Sequence, residues 1–202
     1  MLRVGLTGGS GSGKGYVSSL FAEEGIPSLD TDRLARDVVA PGSGCLQELT
    51  EALGSEILCE DGSLDRRKTA AITFADSEKY KALNRITHRY ILAECRRWLA
   101  QKEQEGCMAA IIDAPLLVES GLHAEMDEIV AVTAPLSVRI ERLKKRDGLD
   151  EQAIALRLSR QKEDAFYLSY ADHTLVNDGD DQALRRQIAQ IAEEWRKKGR
   201  NA

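Results

Sequence analysis

Two spacings of apolar residues alternate along this chain. Short runs of strand-forming residues predict five strands, at Leu2–Thr7, Pro27–Leu29, Cys107–Ile112, Ile129–Thr133 and His173–Val176. The third and fourth runs are apolar on both faces, as central strands of a parallel sheet are. Between the runs, apolar residues recur every three to four positions, as in amphipathic helices. This alternation predicts an α/β fold, in which helices cover both faces of a parallel sheet.

Two helical segments interrupt the alternation. From Arg66 to Gln104 the pattern is helical almost throughout, without an interior Gly or Pro, which predicts an insertion of two or three helices. Later, Asp147-Gly148 separates a helix over residues 136–146 from another that starts near Asp150. Because ligands bind at the carboxyl ends of parallel strands, we expect the chemistry to follow each strand end.

The loop after the first strand carries the strongest motif. Residues Gly8–Lys14 read Gly-Gly-Ser-Gly-Ser-Gly-Lys and match the phosphate-binding P-loop, G-x-x-x-x-G-K. Its glycines let backbone N–H groups converge on a phosphate chain, and Lys14 and the following helix N-terminus add positive charge. A chance Gly/Ser turn is disfavoured by the strand before it and the amphipathic helix after it. Gly15 stands where the motif has the Ser or Thr that binds Mg²⁺.

Composition narrows the class of protein. The 202 residues suffice for one domain with insertions, and 43% hydrophobic residues support a sizeable core. A net charge of −5 argues against nucleic acid as the main partner. No apolar run approaches the roughly 20 residues that cross a membrane, and a strand begins almost at once, so we expect no signal peptide. The four separated cysteines suggest free thiols and a cytoplasmic protein.

Three aspartates follow predicted strands. Asp30 and Asp32 come directly after the second strand, where a carboxylate can accept a proton from an attacking hydroxyl or hold Mg²⁺ through water. Either can instead cap a helix, and we prefer Asp32 as the functional residue. Asp113 ends the third strand, where it is either a metal-associated acid or a solvated carboxylate.

Basic residues suggest two further sites. Arg139, Arg142 and Arg146 share one helix face, which predicts a lid that closes on phosphates. The alternative is a solvated face paired with nearby acidic residues. His88 is either structural or, with neighbouring arginines, a contact for an anionic substrate. Asn177 after the last strand either contacts a base edge or forms an Asx-turn.

Several segments in order resemble one family. They include Gly5–Lys14, Leu29-Asp30-Thr31-Asp32, Asp61–Arg66, His88, Asp113–Glu119, Arg142–Asp147, Arg157–Gln161 and Ala171–Gly179. In this order and spacing the chain resembles the dephospho-coenzyme A kinase family, nearly from end to end. The resemblance implies ATP-dependent phosphorylation of the 3′-hydroxyl of dephospho-coenzyme A, the last step of coenzyme A synthesis, with ATP and Mg²⁺ required.

The resemblance also implies which segments and residues of the chain carry each function. A P-loop core would span about 1–59, 105–136 and 166–202, a helical coenzyme A subdomain about 60–104, and a lid about 137–165. The catalytic residues would be Asp32, Lys14 and Arg142. The ATP-binding residues would be Gly9, Gly11, Ser12, Gly13, Lys14, Gly15, Tyr16, Arg146 and Asn177. The substrate-binding residues would be Asp32, Arg66, His88, Leu116 and Glu119, and Mg²⁺ would be held through water by Asp32 and Asp113.

The chain departs from the family pattern at three places. Gly15-Tyr16 replaces a pair of small hydroxyl residues, Arg89 follows His88 where proline is usual, and 164–170 lacks an arginine often found there. Two other functions stay open from the residues alone. One is a P-loop kinase for another small alcohol, and the other is a nucleotide-binding protein with weakened catalysis. No nucleic acid or membrane partner is expected, and the chain could be a monomer or a homo-oligomer.

Overall fold

A computed structural model describes residues 1–200, without the side chain of Arg200. The strands are β1 (Leu2–Thr7), β2 (Ser28–Asp30), β3 (Ala109–Asp113), β4 (Glu128–Thr133) and β5 (His173–Val176). The helices are α1 (Lys14–Glu23), α2 (Thr31–Asp37), α3 (Gly44–Leu53), α4 (Arg66–Ala75), α5 (Ser77–Gln104), α6 (Leu136–Asp147), α7 (Glu151–Ser159), α8 (Asp164–Leu168) and α9 (Asp181–Arg200). Short 3₁₀ turns lie at Ser55–Ile57 and Leu122–Glu125.

The chain divides into two compact units. One contains Met1–Asp30 and the chain from Leu99 onward, and the other is Thr31–Trp98. This second, helical unit starts at Thr31 because α2 and α3 share its core. The three functional parts predicted from the resemblance stay predictions, since compact packing does not assign a function to a segment.

The first unit is built on a five-stranded parallel sheet in the order β2-β3-β1-β4-β5. The register pairs Leu6 of β1 with Asp113 of β3 on one side and with Val130 of β4 on the other. The P-loop therefore leaves the middle of the sheet, with the end of β3 directly beside it. The predicted α/β fold with a parallel sheet is confirmed.

The core of this unit follows the alternation of side chains along β1. Val4 and Leu6 are buried in one apolar cluster with residues of α1 and α9, in which Phe21 stacks on Trp195 with ring centroids 5.3 Å apart. Gly5 faces the other way, and a Cβ there would lie 3.1 Å from Met126. The sheet is thus packed tightly on both sides at its central strand.

The second unit has its own apolar core, built from α3, the segment after it and one face of α5. Ser43 caps α3 by accepting a hydrogen bond from Leu46 N at 3.1 Å. A small antiparallel bridge joins Leu58 to Leu64. The long helical segment is two helices, broken at Asp76, whose carboxylate accepts from Glu78 N at 2.9 Å. Asp76 therefore ends one helix and caps the next.

Two predictions about the whole chain can be set beside the structure. All four cysteines are free thiols, as expected. Within residues 1–200, none of the helices combines the length and the apolar character that a transmembrane span needs.

A buried carboxylate links β4 to α9 and makes stability depend on pH. Glu128 is buried, and its Oε2 accepts from Trp195 Nε1 at 2.6 Å and lies 2.8 Å from His173 Nε2. Lys198 forms an ion pair with its other oxygen. Burial raises the pKa of Glu128, but hydrogen bonds from Lys198, Trp195 and His173 outweigh it, so the pKa lies below the usual value. The ionised form therefore stabilises the fold above the unfolded-state pKa, and this contribution is lost as the pH falls.

We expect Glu128→Gln to lower the melting temperature by about 3–8 °C at pH 7, because it weakens buried hydrogen bonds worth about 1–3 kcal/mol. The difference from the wild type should narrow below about pH 4, where the wild-type carboxyl is also becoming neutral. Thermal unfolding followed by circular dichroism between pH 3 and 8 measures this. Glu51→Gln, at an exposed position of α3, is the control. A difference that stays constant with pH would contradict the assignment.

Candidate active site

The P-loop backbone takes a shape that only glycine tolerates at three positions. Gly8, Gly11 and Gly13 have φ angles of 141°, 79° and 92°. Space is also short, since a Cβ on Gly11 would lie 2.8 Å from the carbonyl oxygen of Arg139, and one on Gly13 would overlap the side-chain amide of Asn177. The loop therefore lies flat against α6 and the end of β5.

Polar groups converge inside this loop. Lys14 Nζ donates to Gly8 O at 3.0 Å, so the lysine crosses the loop. The Ser12 hydroxyl and the Thr7 hydroxyl at the loop's start are buried, and neither has a hydrogen-bond partner. A buried hydroxyl without a partner is rare, and a phosphate oxygen would satisfy Ser12. Together with the N-terminus of the ten-residue helix α1, these groups fit a phosphate chain.

Arg142 and Asn177 hold the loop from outside. Arg142 Nη1 donates to Gly11 O and Ser12 O, both at 3.3 Å, and to Asn177 O at 3.1 Å. Arg142 Nη2 donates to Asn177 Oδ1 at 2.8 Å, and Asn177 Nδ2 donates to Ser12 O at 2.9 Å. The Asn177 amide is engaged at both ends, so here it supports the loop and does not present a free edge to a base. The predicted roles of both residues in ATP handling stay predictions.

A second arginine and a glutamine grip the tip of the loop at Ser10. Arg139 is only 9% exposed, and its Nε donates to Ser10 O at 2.9 Å. Its Nη1 donates to Asp164 Oδ1 at 3.1 Å. Gln161 Oε1 accepts from Ser10 N at 2.9 Å, and Gln161 Nε2 donates to Ser10 Oγ at 2.6 Å. The sequence did not mark Gln161 as a site residue, and it placed Arg139 either on a lid that closes on phosphates or on a solvated face, whereas Arg139 binds the backbone of the P-loop.

Arg146, the last arginine of the face on α6, is paired with an acidic residue, which is the arrangement described above as the alternative to a lid. Arg146 donates to both carboxylate oxygens of Asp147, at 2.7 and 2.8 Å, and Arg157 donates to the same group at 2.8 Å. The hydrogen bond from Arg146 contributes most to lowering the pKa of Asp147. Arg146 is thus ion-paired at the surface, and its predicted contact with ATP stays a prediction.

Asp113 is a buried carboxylate beside the root of the P-loop. It ends β3, and its Oδ2 accepts from Ser18 Oγ of α1 at 3.1 Å. Asp30 ends the neighbouring β2 in register with it, and Asp32 is exposed in the first turn of α2. Among residues 1–200, no group of three or more His, Cys, Asp or Glu side chains could hold a metal. Mg²⁺ commonly keeps several waters and binds phosphate oxygens, so a single buried carboxylate fits such an ion.

The unusual pair Gly15-Tyr16 opens α1. A Cβ on Gly15 would meet nothing within 4 Å, so a larger residue fits there. The Tyr16 hydroxyl forms a hydrogen bond with Asp181 at the start of α9, and this bond is the main cause that raises the pKa of Tyr16. Tyr16 is therefore tied to α9, while Gly15 leaves an open position beside the loop.

The predicted substrate residues are exposed. Arg66 begins α4 after its cap Asp65, and His88 lies in the middle of α5, both in the second unit. Leu116 is 57% exposed in the loop after β3, and Glu119 of the same loop is also exposed. A largely exposed leucine at the carboxyl edge of the sheet suits a ligand contact. The assignment of these four residues to a substrate stays a prediction.

Comparison with known proteins covers nearly the whole chain. The family model described as dephospho-CoA kinase matches residues 2–183. The dephospho-CoA kinase of Corynebacterium glutamicum is 42% identical over 96% of this chain and 100% of its own, and that of Bacillus cereus is 36% identical over 95% and 96%.

Solved structures agree with this fold. A crystal structure of a Thermus thermophilus protein is 30% identical and superposes with a TM-score of 0.79 over 96% of this chain and 97% of its own. Dephospho-CoA kinase from Campylobacter jejuni, at 22% identity, has a TM-score of 0.71 over 95% of this chain and 96% of its own, which shows the fold alone. The P-loop, the five-stranded parallel sheet and these matches lead to one conclusion: the chain belongs to the dephospho-CoA kinase family.

Proposed function

We propose that the protein transfers the γ-phosphoryl group of ATP to the 3′-hydroxyl of dephospho-coenzyme A and releases coenzyme A and ADP. The observation that carries this proposal is the family match over residues 2–183, which includes an intact P-loop apart from Gly15. In the reaction a bond forms between the ribose 3′-oxygen and the γ-phosphorus. The bond between that phosphorus and the bridging oxygen of ADP breaks, and the hydroxyl proton leaves.

The residues of the first unit would bind and orient the triphosphate. Lys14 would neutralise charge on the β- and γ-phosphates, and the Ser12 hydroxyl would donate to a phosphate oxygen. Arg142 and Asn177 donate hydrogen bonds to the loop carbonyls of Gly11 and Ser12, and would thereby keep these carbonyls turned away from the phosphates. Without that support, carbonyl oxygens facing phosphate oxygens would repel them.

The proton of the 3′-hydroxyl would pass to Asp32. The chain leaves β2 at the same edge of the sheet as the P-loop leaves β1, which supports a carboxylate from this segment as the base. When bound, Mg²⁺ supplies charge neutralisation on the phosphate oxygens. Asp113, held by Ser18, and Asp32 would hold it through water.

The substrate would be recognised mainly by exposed groups. Its diphosphate is anionic, which suits Arg66 and His88 of the helical unit. Leu116 and Glu119 would contact it from the loop after β3. The cytoplasmic location stays a prediction.

Steady-state turnover tests the proposed function. Purified protein with ATP should form ADP only when dephospho-coenzyme A is present, and the product should carry one added 3′-phosphate by mass spectrometry and NMR. Adenosine and shikimate serve as competing acceptors. Turnover with either of these and none with dephospho-coenzyme A would refute the proposal.

Gly15 gives a prediction about metal demand. The open space at this position should accept Gly15→Ser without displacing any neighbour. The new hydroxyl would coordinate Mg²⁺ as in other P-loop proteins. In the wild type, water would take this coordination position. We expect Gly15→Ser to lower the Mg²⁺ concentration for half-maximal rate several-fold and to raise kcat. Mg²⁺ titrations at saturating ATP compare Gly15→Ser with the wild type and with Gly15→Ala, which adds a side chain but no ligand. Identical Mg²⁺ curves for Gly15→Ser and Gly15→Ala would contradict this prediction, because they would show that the added hydroxyl does not contribute to Mg²⁺ binding.

A further inference from the structure

All three polar groups of Ser10 are bound by residues far away in sequence. Its N–H and hydroxyl meet the side-chain amide of Gln161, and its carbonyl meets Arg139. Ser10 lies at the tip of the P-loop between Gly9 and Gly11, two residues without side chains. Such a tip has little to hold itself in place, since a backbone segment gains conformational entropy when it is released.

The groups that hold Ser10 are themselves fixed. The Gln161 backbone N–H donates to Leu158 O at 3.1 Å, so Gln161 lies in the turn that directly follows α7. Arg139 is buried and bound to Asp164 at the start of α8. The connection between α7 and α8 therefore holds Ser10 directly through the Gln161 amide, which accepts from the Ser10 N–H while it donates to the Ser10 hydroxyl. The second contact with Ser10 comes from Arg139 of α6, which Asp164 at the start of α8 keeps in place.

We propose that Gln161 is a positioning residue for ATP, which holds Ser10 so that the rest of the P-loop keeps the shape that receives phosphates. Gln161 uses the Ser10 N–H itself, so it acts on ATP through the loop and is not a catalytic residue. This inference rests on the proposed function only in that ATP is the ligand of the P-loop. The segment that follows α7 is thereby part of the phosphate site.

The test replaces the Gln161 amide with an apolar group on a side chain of similar length. Gln161→Met should weaken ATP binding about tenfold by titration calorimetry, because the two hydrogen bonds to Ser10 are lost. The KM for ATP should rise in parallel, while the KM for dephospho-coenzyme A stays within about twofold. Gln152→Met, at an exposed position in the first turn of α7, is the matched control and should leave both values unchanged. A lower melting temperature with unchanged ATP affinity, or equal rises in both KM values, would overturn the proposal.

Two further variants keep the test sharp if Gln161→Met folds poorly. Ser10→Ala should weaken ATP binding less than Gln161→Met, and it should add nothing in the Gln161→Met background, because the hydroxyl acts through Gln161. Gln161→Glu keeps an acceptor for the Ser10 N–H but loses the amide donor, so the Ser10 hydroxyl must turn and donate to the carboxylate instead. Both hydrogen bonds can then persist, and the main change is a negative charge near the phosphates, so the affinity relative to wild type should recover at high salt. Additive effects, or a Gln161→Glu loss that salt does not reduce, would overturn the proposal. Calorimetry reports on ATP binding alone, so these results stand even if dephospho-coenzyme A proves not to be the acceptor.

Discussion

Asp32→Asn is expected to lower kcat by about 10²–10⁴-fold and to leave the affinity for ATP nearly unchanged. A positioned general base contributes this much to a proton transfer, and its loss falls on the chemical step. Asparagine has nearly the same size and cannot accept the proton from the 3′-hydroxyl at neutral pH. Asp32 is exposed in the first turn of α2, so the change should not disturb the core of its unit. Single-turnover rates at saturating ATP and dephospho-coenzyme A measure the chemical step directly.

Asp30→Asn is the matched control, two residues earlier. Asp30 also has an exposed carboxylate, but it is the last residue of β2 and does not lie in the helix that follows. We expect a change in kcat of less than about tenfold. If Asp30→Asn abolishes turnover and Asp32→Asn does not, the two roles are reversed. If the melting temperatures of both variants match the wild type, neither result can be attributed to unfolding.

The sequence predicted the strands well because each has a clear boundary. The predicted bounds of β1 and β5 agree with the structure to the residue, since a turn-forming segment follows each run. The five-residue helix α8 was missed, because it is too short to show a helical repeat.

The phosphate site was predictable where it is local and unpredictable where it is not. The P-loop occupies one short segment, so its residues could be assigned from spacing alone. The contacts of Ser10 with Arg139 and Gln161 span 129 and 151 residues, and no periodicity marks them. Asn177 was expected either to meet a base edge or to form a turn, whereas its amide supports Ser12 and Arg142. Such pairings depend on the sheet order, which brings the end of β5 and the start of α6 to the loop.

Gly13→Ala is expected to weaken ATP binding about 100-fold or more. At Gly13 φ is 92°, and a left-handed conformation costs an alanine about 1–2 kcal/mol. The new methyl group would also overlap the Asn177 amide, which bonds Ser12 O and Arg142. Losing those two hydrogen bonds adds about 1 kcal/mol each, and a total near 3 kcal/mol corresponds to about 100-fold in affinity.

This cost should appear in binding because the free loop can relax. Without ATP, the loop of Gly13→Ala can move away from Asn177 and escape the strain, so the fold loses little stability. ATP binding requires the original shape and must restore both the strain and the overlap. Gly106→Ala is the control, because Gly106 has φ 75° in an open turn where a Cβ meets nothing within 4 Å. It should lower the melting temperature slightly and leave ATP affinity unchanged. Calorimetric titration of both variants decides the matter: wild-type ATP affinity in Gly13→Ala would show that the tight contact between Gly13 and Asn177 is not needed to bind the nucleotide.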